Sequence, residues 1–368
     1  MKVAIDIGPL KSQDKVRGVG FYTKYLLESL EKIAGEFSLD ITGLDTQTLI
    51  KNAHKFDIIH FPFFKLYESK LPQVDAKIVV TIHDVIPLLH PNQYPSGVRG
   101  KVKLQDQKRQ LRRVYAVVTD TEASKKDIVR FLGIPSEKIF VTHLAPASHF
   151  NQLKNDTWQE NIVKKYLLPK RFVLYVGDVN YNKNIGTLIQ ACNKIKTDLI
   201  IVGKQALYIE NYTSEISQLH GPRDWARFLF GKPHPEVKHY KQILDLLKDN
   251  PRVKRLGFVS DEDLVKIYNL ATVYCQPSFS EGFGFPVLEA MACGVPVVAS
   301  KTQALVEIAE KAAIFVDPDS VDGFAQSFSL LYKNEKKRKT CISKGLLHVK
   351  KYNWTITAKE TIKAYGIN

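Results

Sequence analysis

Short runs of apolar, mostly β-branched residues alternate along the first half of the chain with stretches whose apolar residues recur at helical spacing. Such runs, bounded by polar and turn-forming residues, predict buried strands, and the stretches between them predict helices. The predicted strands are Lys2–Ile7, Phe56–His60, Ile78–His83, Ala116–Thr119 and Phe140–Thr142, and the helices include Phe21–Ile33 and Ser124–Leu132. Alternating strands and helices indicate βαβ units and a parallel sheet.

The same alternation starts again after a polar stretch at 151–171. Most of the runs are continuously apolar, as expected when helices cover both faces of a sheet. We therefore predict an α/β protein of two doubly wound, parallel-sheet domains (1–165 and 166–350) and a C-terminal segment (351–368), with ligands in a cleft at the carboxyl ends of the strands. The strands predicted here are Phe172–Val176, Asp198–Val202, Val253–Leu256, Val273–Gln276, Val295–Ala299 and Ala313–Val316, and a final amphipathic helix is predicted at Trp354–Tyr365.

The composition is that of an ordinary globular protein, and no segment approaches the roughly 18 continuous apolar residues of a membrane span. The 53 Lys and Arg residues against 38 Asp and Glu give a net charge of +15, which favours an anionic partner: nucleic acid, anionic lipid or a phosphorylated small molecule. The four cysteines lie far apart without a Cys-x-x-Cys pair. This argues against a zinc site or a disulfide framework and predicts small buried side chains in a reducing cytoplasm.

The segment 277–300 carries the clearest chemical signal. A loop with Gly282 and Gly284 follows a predicted strand, and a helix then begins with Pro286 near its first position and ends at Gly294. The two loop glycines allow the backbone to approach a ligand closely, and a helix N-terminus carries about half a positive charge. This combination predicts a binding site for a diphosphate.

Two acids frame that site. Glu289, one turn into the helix, can accept hydrogen bonds from vicinal ribose hydroxyls, and Glu281, in the loop, can accept from the hydroxyls of a sugar. A lone glutamate is more simply a solvated acid, but the seven-residue spacing together with the glycine loop favours a nucleotide-sugar site.

This segment resembles the signature of the group 1 glycosyltransferases (family 4, GT-B fold), whose Glu-x7-Glu motif matches Glu281 and Glu289, and the likeness extends over nearly the whole chain. The resemblance implies two Rossmann-like domains facing a central cleft, with a C-terminal helix crossing back onto the N-terminal domain. It also implies a hexosyltransferase that uses a nucleotide diphosphate sugar with retention at the anomeric carbon.

Further landmarks of the family match this chain. By resemblance, Lys183 in the stretch 176–184 neutralises the diphosphate, and His83 faces the transferred sugar from the N-terminal domain. Many relatives carry a second base directly after Gly177 or just before the lysine, where this chain has Asp178 and Asn182.

The resemblance assigns catalysis to His83, Lys183 and Glu281. Residues 257–260 match the loop that reads the nucleotide base, Gly18 and Gly20 match a donor-contacting loop after the first strand, and Ser124 is predicted to cap a helix. Neither a metal nor another cofactor is implied. The donor-binding residues are predicted to be Gly18, Gly20, Lys183, Phe258, Val259, Glu281, Gly282, Phe283, Gly284, Phe285 and Glu289.

The stretches 83–87 and 281–286 resemble mannosyltransferases that use GDP-mannose. UDP-dependent glucosyl, galactosyl or N-acetylglucosaminyl transfer stays open, as does nucleotide-sugar epimerisation. The predicted acceptor is a glycan or a lipid-linked glycan of cell-surface polysaccharide synthesis, such as lipopolysaccharide. Segment 205–240 is either an acceptor-contacting insertion or a variable helical excursion.

Three further expectations concern other partners. The basic run 99–113 is either a solvated face or a peripheral contact with the anionic inner face of the membrane. No nucleic-acid recognition motif accompanies the positive charge, so nucleic acid is not a predicted partner. The stretch 18–23 lacks the third glycine of a dinucleotide-binding fingerprint, which argues against an oxidoreductase.

Overall fold

A computed structural model describes residues 1–12, 18–154, 156–211 and 235–367. The chain divides into two compact units. The first comprises Met1–Pro91, Pro95–Ala145 and Tyr352–Asn368, and the second comprises Asn92–Tyr94 and Pro146–Lys351.

Within the described ranges, each unit contains one six-stranded parallel sheet. In the first unit the strands lie in the order β2-β1-β3-β4-β5-β6, and in the second in the order β12-β11-β10-β7-β8-β9. The strands are β1 (Lys2–Asp6), β2 (Asp40–Leu44), β3 (Ile58–Phe61), β4 (Lys77–Thr81), β5 (Ala116–Thr119), β6 (Ile139–Val141), β7 (Phe172–Val176), β8 (Asp198–Val202), β9 (Val253–Gly257), β10 (Val273–Gln276), β11 (Val297–Ser300) and β12 (Ala313–Val316).

Helices lie between all consecutive strands except β3 and β4, so that both sheets have the predicted doubly wound α/β architecture. Short 3-10 helices lie at Ala34–Phe37, Ala53–Lys55, Ser136–Lys138, Tyr181–Lys183 and Glu310–Ala312. The α-helices are α1 (Gly8–Lys11), α2 (Gly18–Ile33), α3 (Thr46–Lys51), α4 (Ile86–Leu89), α5 (Gly97–Leu111), α6 (Glu122–Leu132), α7 (Gln159–Tyr166), α8 (Ile185–Lys194), α9 (Lys204–Leu207), α10 (Pro235–Leu247), α11 (Asp261–Leu270), α12 (Phe285–Ala292), α13 (Gln303–Ala309), α14 (Val321–Lys333), α15 (Glu335–Val349) and α16 (Trp354–Ala364).

The central strands are buried because apolar residues occupy both of their faces. Every residue of β3, β5, β10 and β11 is buried, as the continuous apolar runs predict. All four cysteines are buried and unpaired, which confirms the prediction that they are small core side chains.

Strand β2 was not predicted. Its sequence, Asp-Ile-Thr-Gly-Leu, contains polar residues and a glycine, which weaken the strand signal. It pairs only with β1 at the edge of the sheet and is only partly buried, so it can tolerate this composition.

Residues 146–165 belong to the second unit, whereas the sequence led us to draw the domain boundary at 165. The physical reason is their polar contacts with α11. The Leu153 amide donates to Asn269 Oδ1 at 2.9 Å, and Lys165 Nζ donates to Asp263 Oδ2 at 2.6 Å.

The C-terminal helix α16 is part of the first unit. Thr357 in its first turn donates to the carbonyl oxygen of His143, just after β6, at 2.7 Å. The Trp354 ring lies 5.4 Å from the ring of Tyr25 in α2. Residues 352–367 therefore pack within the same unit as the N-terminal residues.

Within segment 205–240, residues 205–207 belong to α9 and residues 235–240 to α10, and residues 212–234 lie outside the described residues. Where the structure describes the chain, none of its helices is both long and apolar enough to span a bilayer.

The second sheet reverses its winding direction between β7 and β10. Strands β8 and β9 follow β7 on one side, and β11 and β12 follow β10 on the other. In open α/β sheets, ligands bind at the carboxyl ends of the strands that flank such a reversal. The loops after β7 and β10 therefore form the expected ligand edge of this unit.

The ends of β7 and β8 approach too closely for any side chain at Gly203. A β-carbon there would lie 2.1 Å from the carbonyl oxygen of Gly177. We expect Gly203→Ala to lower the free energy of unfolding by about 2–3 kcal/mol or to prevent folding, because two backbone segments must separate. Urea unfolding measures this.

Gly186→Ala is the matched control, because a β-carbon at Gly186 in α8 would lie 3.7 Å from Leu246 Cδ1, an ordinary contact. This variant should keep or gain up to about 1 kcal/mol of stability. Equal stability of the two variants would contradict the close approach at Gly203.

Candidate functional site

Lys183 and Glu281 meet where the loops after β7 and β10 adjoin. Lys183 Nζ donates to both carboxylate oxygens of Glu281 at 2.8 Å. The lysine side chain is 23% exposed and the glutamate side chain 7%. At this depth an unpartnered charge is costly, and the opposite charge offsets that cost. The two predicted catalytic residues of this unit therefore lie in one place.

Asn182 ties the two loops together. Its Nδ2 donates to the carbonyl oxygen of Ser280 at 3.2 Å, and its own carbonyl accepts from the Phe279 amide at 2.8 Å. The Tyr94 hydroxyl donates to Asn182 Oδ1 at 2.8 Å and accepts from the backbone amide of Asn182 at 3.2 Å. A basic side chain has no acceptor for that hydroxyl, so the asparagine that departs from the family pattern has a structural role here.

Two residues that we did not predict complete the surroundings of Glu281. Gln276 Nε2 and Ser278 Oγ donate to Glu281 Oε1 at 2.7 and 2.6 Å. Tyr274 in turn donates its hydroxyl to Gln276 Oε1. Both partners lie at the carboxyl end of β10, directly before the glycine loop, and this position was the available sequence signal.

Glu289 lies in an environment that disfavours its charge. It is half-buried in α12, and its Oε2 accepts a hydrogen bond from the Tyr268 hydroxyl at 2.9 Å. Burial raises the pKa of Glu289 to about 7, the Tyr268 hydrogen bond lowers it, and the nearby Asp261 charge raises it further. A ligand that donates hydrogen bonds to this carboxylate would favour its ionised form.

The helix start beside these acids has the predicted form. Gly284 precedes α12 with a left-handed backbone (φ 108°), and a β-carbon there would lie 2.9 Å from Leu305 Cδ2. Pro286 lies in the first turn, and Gly294 follows the helix with φ 71°. Gly282 and Phe283 are buried, and Phe285 is the first residue of the helix.

The predicted base-reading loop follows β9. Phe258 is 65% exposed, whereas the adjacent Val259 is buried. Ser260 caps α11, since its side chain accepts from the Asp263 amide. An exposed aromatic ring beside a fixed backbone can stack against a base.

In the first unit, Gly18 and Gly20 form the first turn of α2, where we expected a loop. Gly18 is exposed and Gly20 is buried. The preceding residues, 13–17, lie outside the described residues.

His83 follows β4, and an acid from the neighbouring strand's end holds it in place. Its Nδ1 lies 2.8 Å from Asp120 Oδ2, just after β5. Burial lowers the pKa of His83, but the charge and hydrogen bond of Asp120, the charge of Asp84 and a hydrogen bond to the Pro62 carbonyl outweigh it, so the pKa is raised above its usual value. We did not predict Asp120; the signal was an acid directly after the strand beside β4.

The predicted cap at Ser124 is wrong. Thr121 caps α6 by accepting from the Ser124 amide at 3.0 Å. The Ser124 hydroxyl instead donates to the carbonyl oxygen of His83 at 3.0 Å. Ser124 thus holds the backbone of the histidine whose ring Asp120 holds.

The sequence matches two protein-family profiles. Residues 159–347, just over half of the chain, match the family described as glycosyl transferases group 1. The chain belongs to this family. Residues 36–145 match the profile of glycosyltransferase family 4. The resemblance found in the sequence is therefore confirmed, and the chain is a glycosyltransferase of the GT-B type.

Proteins similar to this group 1 glycosyltransferase include two that are named as mannosyltransferases of Escherichia coli. The O-antigen chain mannosyltransferase B is 28% identical over 314 residues, which cover 85% of this chain and 75% of the relative. The serotype-specific mannosyltransferase WbdA is 24% identical over 306 residues, which cover 81% of this chain. This chain spans only 35% of the length of that second relative.

Solved structures share the fold over the whole chain. Sucrose-phosphate synthase from Thermosynechococcus elongatus matches with a TM-score of 0.72 and 18% identity, covering all of this chain and 98% of the other. Anabaena HepE, solved in complex with UDP-glucose, matches with a TM-score of 0.69 and 16% identity, covering all of this chain and 99% of the other. At these identities the likeness shows the fold alone.

The raised pKa of Glu289 predicts a pH-dependent stability. An acid whose folded pKa exceeds its unfolded value destabilises the fold increasingly as pH rises from about 4.5 through 7. Glu289→Gln should therefore stabilise the ligand-free protein at pH 8, by about 1–3 kcal/mol, and leave it nearly unchanged at pH 5. Thermal or urea unfolding at both pH values measures this difference.

The control is Glu262→Gln, which changes an 81% exposed carboxylate of α11. It should show no comparable pH-dependent gain. A gain from Glu289→Gln that is the same at both pH values would contradict the raised pKa of the half-buried Glu289.

Proposed function

We propose that this chain is a retaining mannosyltransferase that transfers mannose from GDP-mannose to a glycan or lipid-linked acceptor in cell-surface polysaccharide synthesis. The observation that carries the proposal is the Lys183–Glu281 pair beside a glycine-capped helix start at the ligand edge of the second sheet. The choice of mannose is supported by the names of the E. coli relatives and by the sequence contexts of 83–87 and 281–286.

Each part of the donor has a candidate partner in the second unit. Lys183 and the start of α12 would neutralise the diphosphate, since a helix N-terminus and a fixed cation both stabilise anions. Glu289 would accept from the ribose hydroxyls, and Glu281 from hydroxyls of the sugar. The exposed ring of Phe258 and the backbone at Val259 would hold the base.

Candidate donor contacts in the first unit come from α2 and from the loop after β4. By resemblance, Gly18 and Gly20 would approach the phosphate or sugar, and His83 would hydrogen-bond a hydroxyl of the transferred sugar. The Asp120 contact at Nδ1 supports that role, because it fixes the orientation of the ring that would contact the sugar.

The proposed chemistry breaks the bond between the anomeric carbon and the β-phosphate oxygen and forms a bond from the acceptor oxygen on the same face. The acceptor's proton passes to the departing phosphate oxygen, so no protein nucleophile is needed. Positive charge on the sugar and negative charge on the phosphate develop together, and Lys183 would stabilise the latter. A covalent glycosyl adduct on the enzyme, detected by mass spectrometry, would contradict this route.

Acceptance of GDP-mannose is tested by a thermal-shift panel of GDP, UDP, ADP and their sugars, followed by a transfer assay. GDP and GDP-mannose should raise the unfolding temperature most, because the ligand that binds most tightly stabilises the fold most. A ligand at 100 times its Kd adds about 2.7 kcal/mol of stability. Transfer should release GDP, retain the anomeric configuration by NMR, and continue after metal chelation.

The outcomes separate the alternatives. A dominant response to UDP would replace GDP-mannose with a UDP-sugar donor. An altered nucleotide sugar without release of a nucleoside diphosphate would indicate an epimerase. No response to any nucleotide would contradict the proposed donor site.

We also propose that α5 contacts an anionic membrane surface. Val98 and Val102 are 59% and 64% exposed one helical turn apart, and Arg99, Lys101 and Lys103 lie beside them. Exposed apolar residues between basic ones are typical of helices that lie on anionic bilayers.

Co-sedimentation with vesicles tests this contact. Binding should require phosphatidylglycerol, weaken as salt rises, and fall several-fold in the variant Lys101→Glu/Lys103→Glu. The control variant Lys336→Glu/Lys339→Glu, in α15 of the second unit, should bind like the wild type. Equal binding to neutral vesicles, or none to anionic ones, would overturn the proposal.

A further inference from the structure

Four buried side chains form a hydrogen-bonded chain from the C-terminal helix to α2. The Tyr365 hydroxyl, at the end of α16, lies 2.8 Å from His60 Nδ1, and His60 Nε2 lies 2.8 Å from Thr81 Oγ1. Thr81 Oγ1 lies 2.9 Å from the Tyr22 hydroxyl. Tyr22, His60 and Thr81 have no exposed surface, and Tyr365 is 2% exposed.

Every member of this chain is uncharged near neutral pH. Burial, and then the charge of His83, lowers the pKa of His60 to about 3, and burial raises the pKa of both tyrosines. A neutral imidazole has one donor and one acceptor nitrogen, so the hydrogen bonds on its two sides point the same way along the chain. Removing one hydroxyl leaves a neighbour's buried polar atom unpaired, which disturbs the next link.

The hydrogen-bonded chain ends at Tyr22, whose ring packs against His83. The Tyr22 and His83 rings meet edge to face, with centroids 4.7 Å apart and planes at 89°. This last contact is between rings, so the chain passes no proton to His83 and acts only on its position. The Phe63 ring lies 6.3 Å from the His83 imidazole, and Asp120 holds the Nδ1 atom of His83.

We propose that Tyr22, Thr81, His60 and Tyr365 are positioning residues for His83. Thr81 fixes the hydroxyl of Tyr22, His60 fixes Thr81, and Tyr365 fixes His60. The Tyr22 ring, held in this way, sets the plane of the His83 imidazole. This inference rests on the proposed function, in which His83 contacts the transferred sugar.

The pair Thr81→Val and Thr81→Ser tests the hydroxyl directly. Valine keeps the shape of threonine but breaks both hydrogen bonds, so kcat should fall about three- to thirtyfold while the KM for the donor changes less than twofold. Serine keeps the hydroxyl and should restore kcat to within about twofold. Tyr365→Phe, a second variant that breaks a different hydrogen bond, should lower kcat to the same extent as Thr81→Val.

Two comparisons distinguish positioning from a general loss of structure. In a His83→Ala background, Thr81→Val and Tyr365→Phe should have no further effect on kcat. The control Tyr115→Phe, which removes the hydroxyl of a 38% exposed tyrosine of the same unit, should leave kcat unchanged. An unchanged kcat in both test variants, or an equal loss without His83, would overturn the proposal.

A spectroscopic measurement keeps the proposal separate from the function on which it rests. In protein labelled with 15N-histidine, Thr81→Val and Tyr365→Phe should shift the imidazole signals of His83 as well as those of His60. A wild type that transfers no sugar would contradict the proposed function, and the His83 signals would then decide the positioning. Unmoved His83 signals would overturn it.

Discussion

A lysine and a glutamate lie partly buried at the point where the second sheet reverses direction, and the organisation of the site follows from their need for each other. Neither charge is stable at this depth alone, so the loops after β7 and β10 must stay together. Asn182 and its contacts with the opposing loop hold them there. In the ligand-free protein, Glu281 therefore forms an ion pair with the lysine whose charge an anionic ligand would need.

This pairing bears on selectivity. The site combines cationic elements, Lys183 and the start of α12, with two carboxylates, Glu281 and Glu289. A simple phosphate would meet repulsion from both acids without offering them hydrogen bonds. A nucleotide sugar carries ribose and sugar hydroxyls that can donate to them, so the acids favour a ligand that joins a diphosphate to polyols. Because burial raises the pKa of Glu289, hydrogen-bond donors on a ligand would favour the ionised form of this acid.

The sequence predicted the sheets well because their strands are buried on both faces and therefore read as continuous apolar runs. It missed β2, an edge strand with a glycine, and it took the first turn of α2 for a loop. In the site, the local features of 277–300 were predictable from spacing. The contacts of His83 with Asp120, of Asn182 with Tyr94 and of His60 with Tyr365 were not, because these partners lie 37, 88 and 305 residues apart in sequence. Only the folded chain brings such residues together.

The exchange of Lys183 between Glu281 and a diphosphate is tested most directly by a double-mutant cycle on nucleoside diphosphate binding, measured by calorimetry. The ligand lacks the sugar, so Glu281 competes for the lysine without contributing a contact of its own. We predict that Glu281→Gln binds the diphosphate several-fold more tightly than the wild type and that Lys183→Met binds at least tenfold more weakly. Glu281→Gln should have a clearly smaller effect when Lys183 is already Met, because only its repulsion of the phosphate is then relieved, with about 1.4 kcal/mol for each factor of ten. Wild-type affinity in Lys183→Met, or an equal effect of Glu281→Gln in both backgrounds, would contradict the account.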